Sequence, residues 1–307
     1  QLAEISLQHG INTTLSPLFV DRNNAGGAQQ IVARVAEQTA RGARVWPQVQ
    51  TRPIDISFNF SVPSLLFIRL PKWYALMRFN EPEQIMASLT DSSVRDALVA
   101  EAQGMMPLWN RLVLRQVVSD ANQCLVGKTL QEIAELRGSD ALNVMIDLSL
   151  EESLDAHFLS GDMGHNDDDL VAPLLKHPNV MVGASDGGAH ILSFATYGDT
   201  GYLLGHFVRD TAHLGLEAAV KKITADPASL WGLGNRGMLR EGFIADITVF
   251  DEAVVDRGVE YFVQDVPGDG YRYVRDAHGI HSVVIGGALA YDKVNGYREA
   301  HRGQIIG

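Results

Sequence analysis

The sequence holds a single cysteine, Cys124. No disulfide can form within the chain, and no cysteine-rich metal cluster can be built from it. Positive charge is scarce too: 25 Lys and Arg stand against 37 Asp and Glu, a formal net charge of -12. Nucleic-acid binding needs clustered cations facing phosphates, so no nucleic-acid partner is expected. No apolar run approaches the roughly 18 residues of a membrane span, and no membrane partner is expected either. No secretory leader pattern opens the sequence, which makes the cytoplasm the default compartment. Internal repeats and low-complexity tracts are missing. So are several catalytic signatures: His-x-His, HExxH and a Gly-rich phosphate loop between a strand and a helix. A nucleotide-binding fold loses support.

What is present is the material of a globular enzyme. Hydrophobic residues make up 46% of the 307 positions and charged residues 20%, enough for a sizeable core. Short apolar runs alternate with helical patterns over the first two thirds. Ile11 to Leu18 reads as a strand ended by its Pro. Gly27 to Arg41 reads as an amphipathic helix stopped by Gly42, and Ala43 to Val49 as the next strand. Arg52 to Pro82, rich in Phe, Trp and Pro, reads as irregular chain wrapping one end of the fold. Thr129 with Glu132 forms a capping box that starts a helix to Arg137. Further helices are expected at Ser139 to Glu151 and at Asp168 to Lys176, the latter broken by His177-Pro178. Leu154 to Ser160 fits a short strand. Asn179 to Ala184 fits a buried parallel strand, followed by helices at Tyr202 to Ala212 and Gly215 to Thr224.

This order argues for an α/β fold with a parallel sheet, and a partial (β/α) barrel of the TIM type is the best single architecture. After Gly242 the helices stop. Ala245 to Asp251, Tyr271 to Asp276 and Ser282 to Asp292 read as strands. The expected division is a partial barrel over 1–236 and a small β-sandwich-type extension over 237–307.

Asp186 stands on a tight Ser185-Asp186-Gly187-Gly188 turn at the end of a buried strand. Parallel α/β folds place chemistry there, and a carboxylate can take a proton from water or bind a metal. The same residue can equally be a turn Asp that caps the next helix. His190, on the same loop, can bind a substrate carboxylate or simply face solvent. His206 and Arg209, three apart, would share a helical face and could grip an anionic substrate, or be a solvated face. His157 and His165 flank an acidic run, Asp167 to Asp169, at a spacing that matches no defined metal site; a solvated loop is the plainer reading.

Two segments resemble a known family. "DPASLWGLGNRGMLREGFIADITVFD" (Asp226 to Asp251) is similar to the closing segment of metal-dependent amidohydrolase barrels. "VMVGASDGGAH" (Met181 flanked by Val180, through His190) is similar to the last barrel strand of the N-acyl-D-amino-acid deacylase branch, the D-aminoacylase-like enzymes. "YLLGHFVRD" resembles the helix that follows, and the stretch from Val274 to Gly307 resembles the family's C-terminal end. The resemblance implies a divalent metal, zinc in the first instance, and a small-molecule N-acyl-(D-)amino acid substrate. It implies that Asp186 is the catalytic residue and a candidate metal ligand; Ser185, Gly187, His190, His206 and Arg209 are candidates around the substrate. A hydantoinase- or dihydroorotase-like cyclic-amide hydrolase, or an inactive truncated homologue, are the alternatives. The family's His-x-His strand has no counterpart here, and Pro17 stands where a metal-binding histidine is expected. A partial barrel leaves open sheet edges, so a homo-oligomer is expected.

Overall fold

The computed structural model describes all residues except 80, 162, 184–186, 196, 269, 299–302, 306 and 307. The chain opens with α1 (Leu2–His9), β1 (Thr13–Leu15), α2 (Gly27–Ala40) and β2 (Val45–Val49). α2 buries Ala28, Val32 and Val35, which recur on one helical face, and Gly42 beyond its end takes a φ of 97° that favours glycine. β2 alternates strictly: Val45, Pro47 and Val49 are buried, Trp46 and Gln48 only half so. α2 therefore covers one face of the strand and leaves the other partly open.

The next stretch builds a separate centre. It runs through β3 (Ile56–Phe58), α3 (Pro71–Phe79), α4 (Pro82–Thr90), α5 (Ser92–Ala102), α6 (Met106–Arg111), β4 (Val113–Gln116), α7 (Leu130–Arg137), α8 (Ala141–Glu151) and β5 (His157–Ser160). β5 lies antiparallel between β3 and β4. Over this sheet sits an aromatic cluster in which Phe67 stacks on Trp109 at 5.4 Å and tilts against Trp73 at 5.1 Å. Both indoles are satisfied, Trp73 Nε1 donating to the Leu98 carbonyl and Trp109 Nε1 to that of Ala102, each at 2.8 Å. The capping box of α7 forms as expected: the Thr129 hydroxyl accepts the Glu132 N–H and Glu132 reaches back.

Two expectations need correction. The span from Arg52 to Pro82 is not simply irregular, since it carries β3 and α3. These elements and the helices up to Arg111 are too short, and too often interrupted by Pro and Asp, to show a full periodic pattern. Second, β5 falls where a strand was expected but runs antiparallel, so strand–helix alternation does not make one parallel sheet of the whole region.

α9 (Asp168–Lys176), β6 (Met181–Val182), α10 (Asp199–Tyr202), a π-wound helix (Leu203–Asp210), α11 (Leu216–Ile223) and α12 (Ala225–Leu230) follow. β6 pairs parallel with β2, which pairs parallel with β1. Among the described residues these strands do not close a barrel.

The remainder is β7 (Ile247–Phe250), β8 (Asp256–Arg257), β9 (Tyr261–Val266), β10 (Gly270–Val274), β11 (Ala277–His278), β12 (Ile280–Ile285), β13 (Ala288–Asp292) and β14 (Gly296–Tyr297). β7, β12, β13 and β14 form an antiparallel sheet in which no residue is fully buried. Gly286 and Gly287, at φ 54° and 80°, turn β12 into β13, so Ser282 to Asp292 is a hairpin. Val255 and β8 press on α10 at Gly201 and on the π helix at Gly205. A Cβ on Gly201 would meet the Asp256 backbone at 2.9 Å, and one on Gly205 the Val255 carbonyl at 2.8 Å. No described helix is long and apolar enough to cross a membrane.

Candidate functional site

The carboxyl ends of β1, β2 and β6 lie side by side, the arrangement in which parallel sheets assemble chemistry. The Leu18 N–H donates to the Gln48 carbonyl at 2.7 Å and the Gly183 N–H to that of Val49 at 2.8 Å, so the loops leave this edge together. Ser185 and Asp186, the residues on which the sequence reading centred, lie outside the described residues. Pro17 follows β1 after Ser16 and offers no metal-binding side chain.

His165 packs against the same edge and is not on a solvated loop. It is 2% exposed, and its backbone N–H donates to the Val20 carbonyl at 2.9 Å. Nε2 faces the Val20 N–H at 3.4 Å, and the ring stands edge-on to Phe19. Burial, aided by the Arg52 charge, pushes its pKa down to about 4, with a Gln50 backbone contact acting in the opposite sense. His157 is equally buried, 1% exposed, in β5. Its Nδ1 shares a 2.5 Å hydrogen bond with the Tyr273 hydroxyl, and Phe262 lies 4.5 Å from its ring. Burial holds this pKa at about 4 as well, so both imidazoles are neutral at pH 7.

The loop that leaves position 186 is held from several sides. Gly187 and His190 are exposed at its start. The His190 carbonyl accepts the Ser193 and Phe194 N–H groups, closing a turn with His190 at φ 51°. The Tyr273 N–H donates to the Ile191 carbonyl at 2.9 Å and the Ser57 N–H to that of Ser193 at 2.5 Å. At the far end Asp199, 4% exposed, accepts Arg52 Nε at 3.2 Å and the Thr51 N–H at 3.3 Å.

His206 and Arg209 do not form one cationic grip. Their helix is π-wound, with the Thr211 N–H reaching back five residues to the His206 carbonyl, so positions three apart no longer stack as in an α-helix. His206 Nε2 meets Asp168 at 2.7 Å, and its ring stacks on Tyr202. Arg209 grips the Asp210 carboxylate with two nitrogens at 2.7 and 3.0 Å. It also reaches the Val255 carbonyl at 2.7 Å and Asp256 at 3.2 Å. It is a strut between the π helix and β8.

Sequence reasoning missed a buried charge cluster contributed by Arg52, Asp55, Asp199, Arg257, Glu260 and Arg275. Asp55 faces Arg257 at 3.3 Å and Arg275 at 3.5 Å, and Glu260 faces Arg275 at 3.1 Å. The available signal was local: Arg52 and Asp55 are charges set in an otherwise apolar "TRPIDISF". Among the described residues no three His, Cys, Asp or Glu side chains come together as a metal site. His157, His206 and the carboxylates of Asp55, Asp199 and Glu260 are paired within the protein instead, and the described residues do not by themselves fit the expected divalent metal.

The sequence model of the Amidohydrolase family matches residues 22–291. The D-aminoacylase of Alcaligenes xylosoxydans xylosoxydans is 30% identical over 184 residues, 59% of this chain and 34% of that protein. The N-acyl-D-glutamate deacylase of the same organism is 38% identical over 135 residues, 43% of this chain and 26% of that protein. A crystal structure of D-aminoacylase superposes with a TM-score of 0.52 at 22% identity, covering 98% of this chain and 51% of that one. The N-acyl-D-glutamate deacylase from Bordetella bronchiseptica, solved with zinc and a phosphonate mimic of the tetrahedral intermediate, gives 0.51 at 22% identity over 96% of this chain and 50% of that one. The chain spans about half the length of these structures, and its matches cover 34% and 26% of those two curated relatives.

Proposed function

The chain belongs to the amidohydrolase family, and we propose that it serves hydrolysis of the amide bond of an N-acyl-D-amino acid, with Asp186 as the acid–base residue. The observation that carries this reading is the Ser185-Asp186-Gly187-Gly188 sequence that follows β6 after Gly183 and Ala184; β6 pairs parallel with β2. Amide hydrolysis needs a base that takes a proton from water as oxygen adds to the carbonyl carbon. It then needs an acid that returns the proton to nitrogen as the C–N bond breaks. One carboxylate can do both in turn. His190, exposed four positions further on, suits the substrate carboxylate in this reading, and Gly187 leaves room for the substrate's approach.

The deacylase relatives support the D configuration and the acyl-amino-acid class. A divalent cation, zinc first, belongs to the proposal because the solved deacylase holds zinc. The described residues do not build its site, so the proton steps are assigned to Asp186 alone. The division at 236/237, a cytoplasmic location and self-association remain parts of the same proposal.

The test is a substrate panel. N-acetyl-D-amino acids and N-acyl-D-glutamate should be hydrolysed in the presence of zinc, with their L counterparts and cyclic amides left intact. Cyclic-amide hydrolysis alone would move the chain to another branch of the family. A second reading, a non-catalytic homologue, is favoured because no three His, Cys, Asp or Glu side chains among the described residues group as a metal site. Absence of turnover on every substrate, with or without zinc, would select it.

A further inference from the structure

We infer that Glu260 is a positioning residue, through which the C-terminal strands hold the loop 187–199 that leaves Asp186; its bearing on catalysis rests on the proposed role of Asp186. Glu260 lies between β8 and β9, far from that loop in sequence, and its side chain is 5% exposed. One carboxylate oxygen accepts the Ala195 N–H at 2.8 Å and Arg275 Nη2 at 3.1 Å. The other accepts the Ser57 hydroxyl. Three segments that share no sequence neighbourhood therefore meet on one anion: β3, the loop after β6, and the end of β10.

The neighbouring contacts run in the same direction. Arg275 donates its backbone N–H to the Tyr197 hydroxyl at 3.1 Å, and Tyr273 donates its own to the Ile191 carbonyl. Asp55 balances Arg275 from the far side and pairs with Arg257, which closes the charge account of the cluster. Most of the loop's polar anchors thus come from other segments, and the Ala195 amide has Glu260 as its acceptor. Removing that carboxylate leaves a buried N–H, a buried hydroxyl and a guanidinium short of a partner at once.

The test is hydrogen exchange along the purified full chain, read by peptide, for Glu260→Ala, Glu260→Gln and Ser57→Ala. In Glu260→Ala the peptide containing Ala195 should exchange about tenfold faster or more, since a hydrogen bond to a charged group is lost. α7 and α8 should keep their wild-type rates. Glu260→Gln, which keeps one acceptor oxygen, and Ser57→Ala, which leaves the anion in place, should show smaller effects on the same peptide. With N-acyl-D-amino acids, kcat should fall in Glu260→Ala while KM changes little, and Glu260→Gln should recover part of it. Unchanged exchange around Ala195 would overturn the inference. So would a uniform rise across the chain in both Glu260→Gln and Ser57→Ala. If the wild-type chain hydrolyses nothing, the proposed function falls, and the exchange data still decide whether Glu260 holds the loop.

Discussion

Among the described residues, two three-stranded sheets are built to opposite standards. In the antiparallel sheet β3-β5-β4, β3 is buried at every position, and the adjoining aromatic cluster has both its indoles hydrogen-bonded. In the parallel sheet β1-β2-β6, Trp46 and Gln48 are half-exposed. Trp46 Nε1 and Gln50 Oε1 are buried atoms without a hydrogen-bond partner. The first sheet is the better packed, although Ser160 Oγ of β5 is also buried without a partner; the second is covered only on the face that α2 packs against. Stability and candidate chemistry are therefore carried by different parts of the molecule. The well-packed sheet supports, and the half-covered sheet ends where Asp186 begins.

The contrast can be broken by substitution. Phe67→Ala should cost the most, about 4 kcal/mol by urea unfolding, because it empties a site walled by Phe58, Phe60, Trp73 and Trp109. A cost near zero would deny that the antiparallel centre carries the fold. Arg52→Met should come next, at about 3 kcal/mol, since it leaves Asp199 charged and buried. This loss lies at the end of the half-covered sheet. If it exceeded that of Phe67→Ala, the ranking of the two regions would be inverted.

Acid should act on both regions through their histidines. His157 and His165 both have pKa values near 4 in the folded chain against an ordinary 6.5, so the unfolded chain takes up protons first as the pH falls. Stability should be full above about 6.5 and decline until about 4, by roughly 3 kcal/mol for each histidine. Unfolding curves at pH 7 and pH 4.5 measure most of the sum, and His157→Phe should remove about half of it. The smallest effect belongs to Trp46→Phe, within about 0.5 kcal/mol of wild type, because the lost indole N–H had no partner. A large cost there would show the open face to be better packed than its half-exposed side chains imply.

Local devices were legible in the sequence. The capping box at Thr129, the stop at Gly42 and the break at His177-Pro178 all fall where residue chemistry put them, because each depends on neighbours within four positions. Pairing partners were not legible. β5 lies beside β3 and β4, contributed by chain from Ile56 and Val113, and nothing in "HFLS" names those partners. The site was legible as a motif and less so as geometry. His206 and Arg209 were grouped on the assumption of α-helical winding, which the π helix does not keep. His157 and His165 were read from acidic sequence neighbours as solvent-facing, whereas Tyr273 and Phe262 cover the first and Phe19 packs on the second. The six-charge cluster was invisible because its members span Arg52 to Arg275.

The most direct measurement is kcat/KM of Asp186→Asn against the wild-type chain on an N-acetyl-D-amino acid, with circular dichroism to show that both are equally folded. The expected loss is at least about 100-fold, the contribution of a general acid–base group. Equal turnover in the two proteins would contradict it.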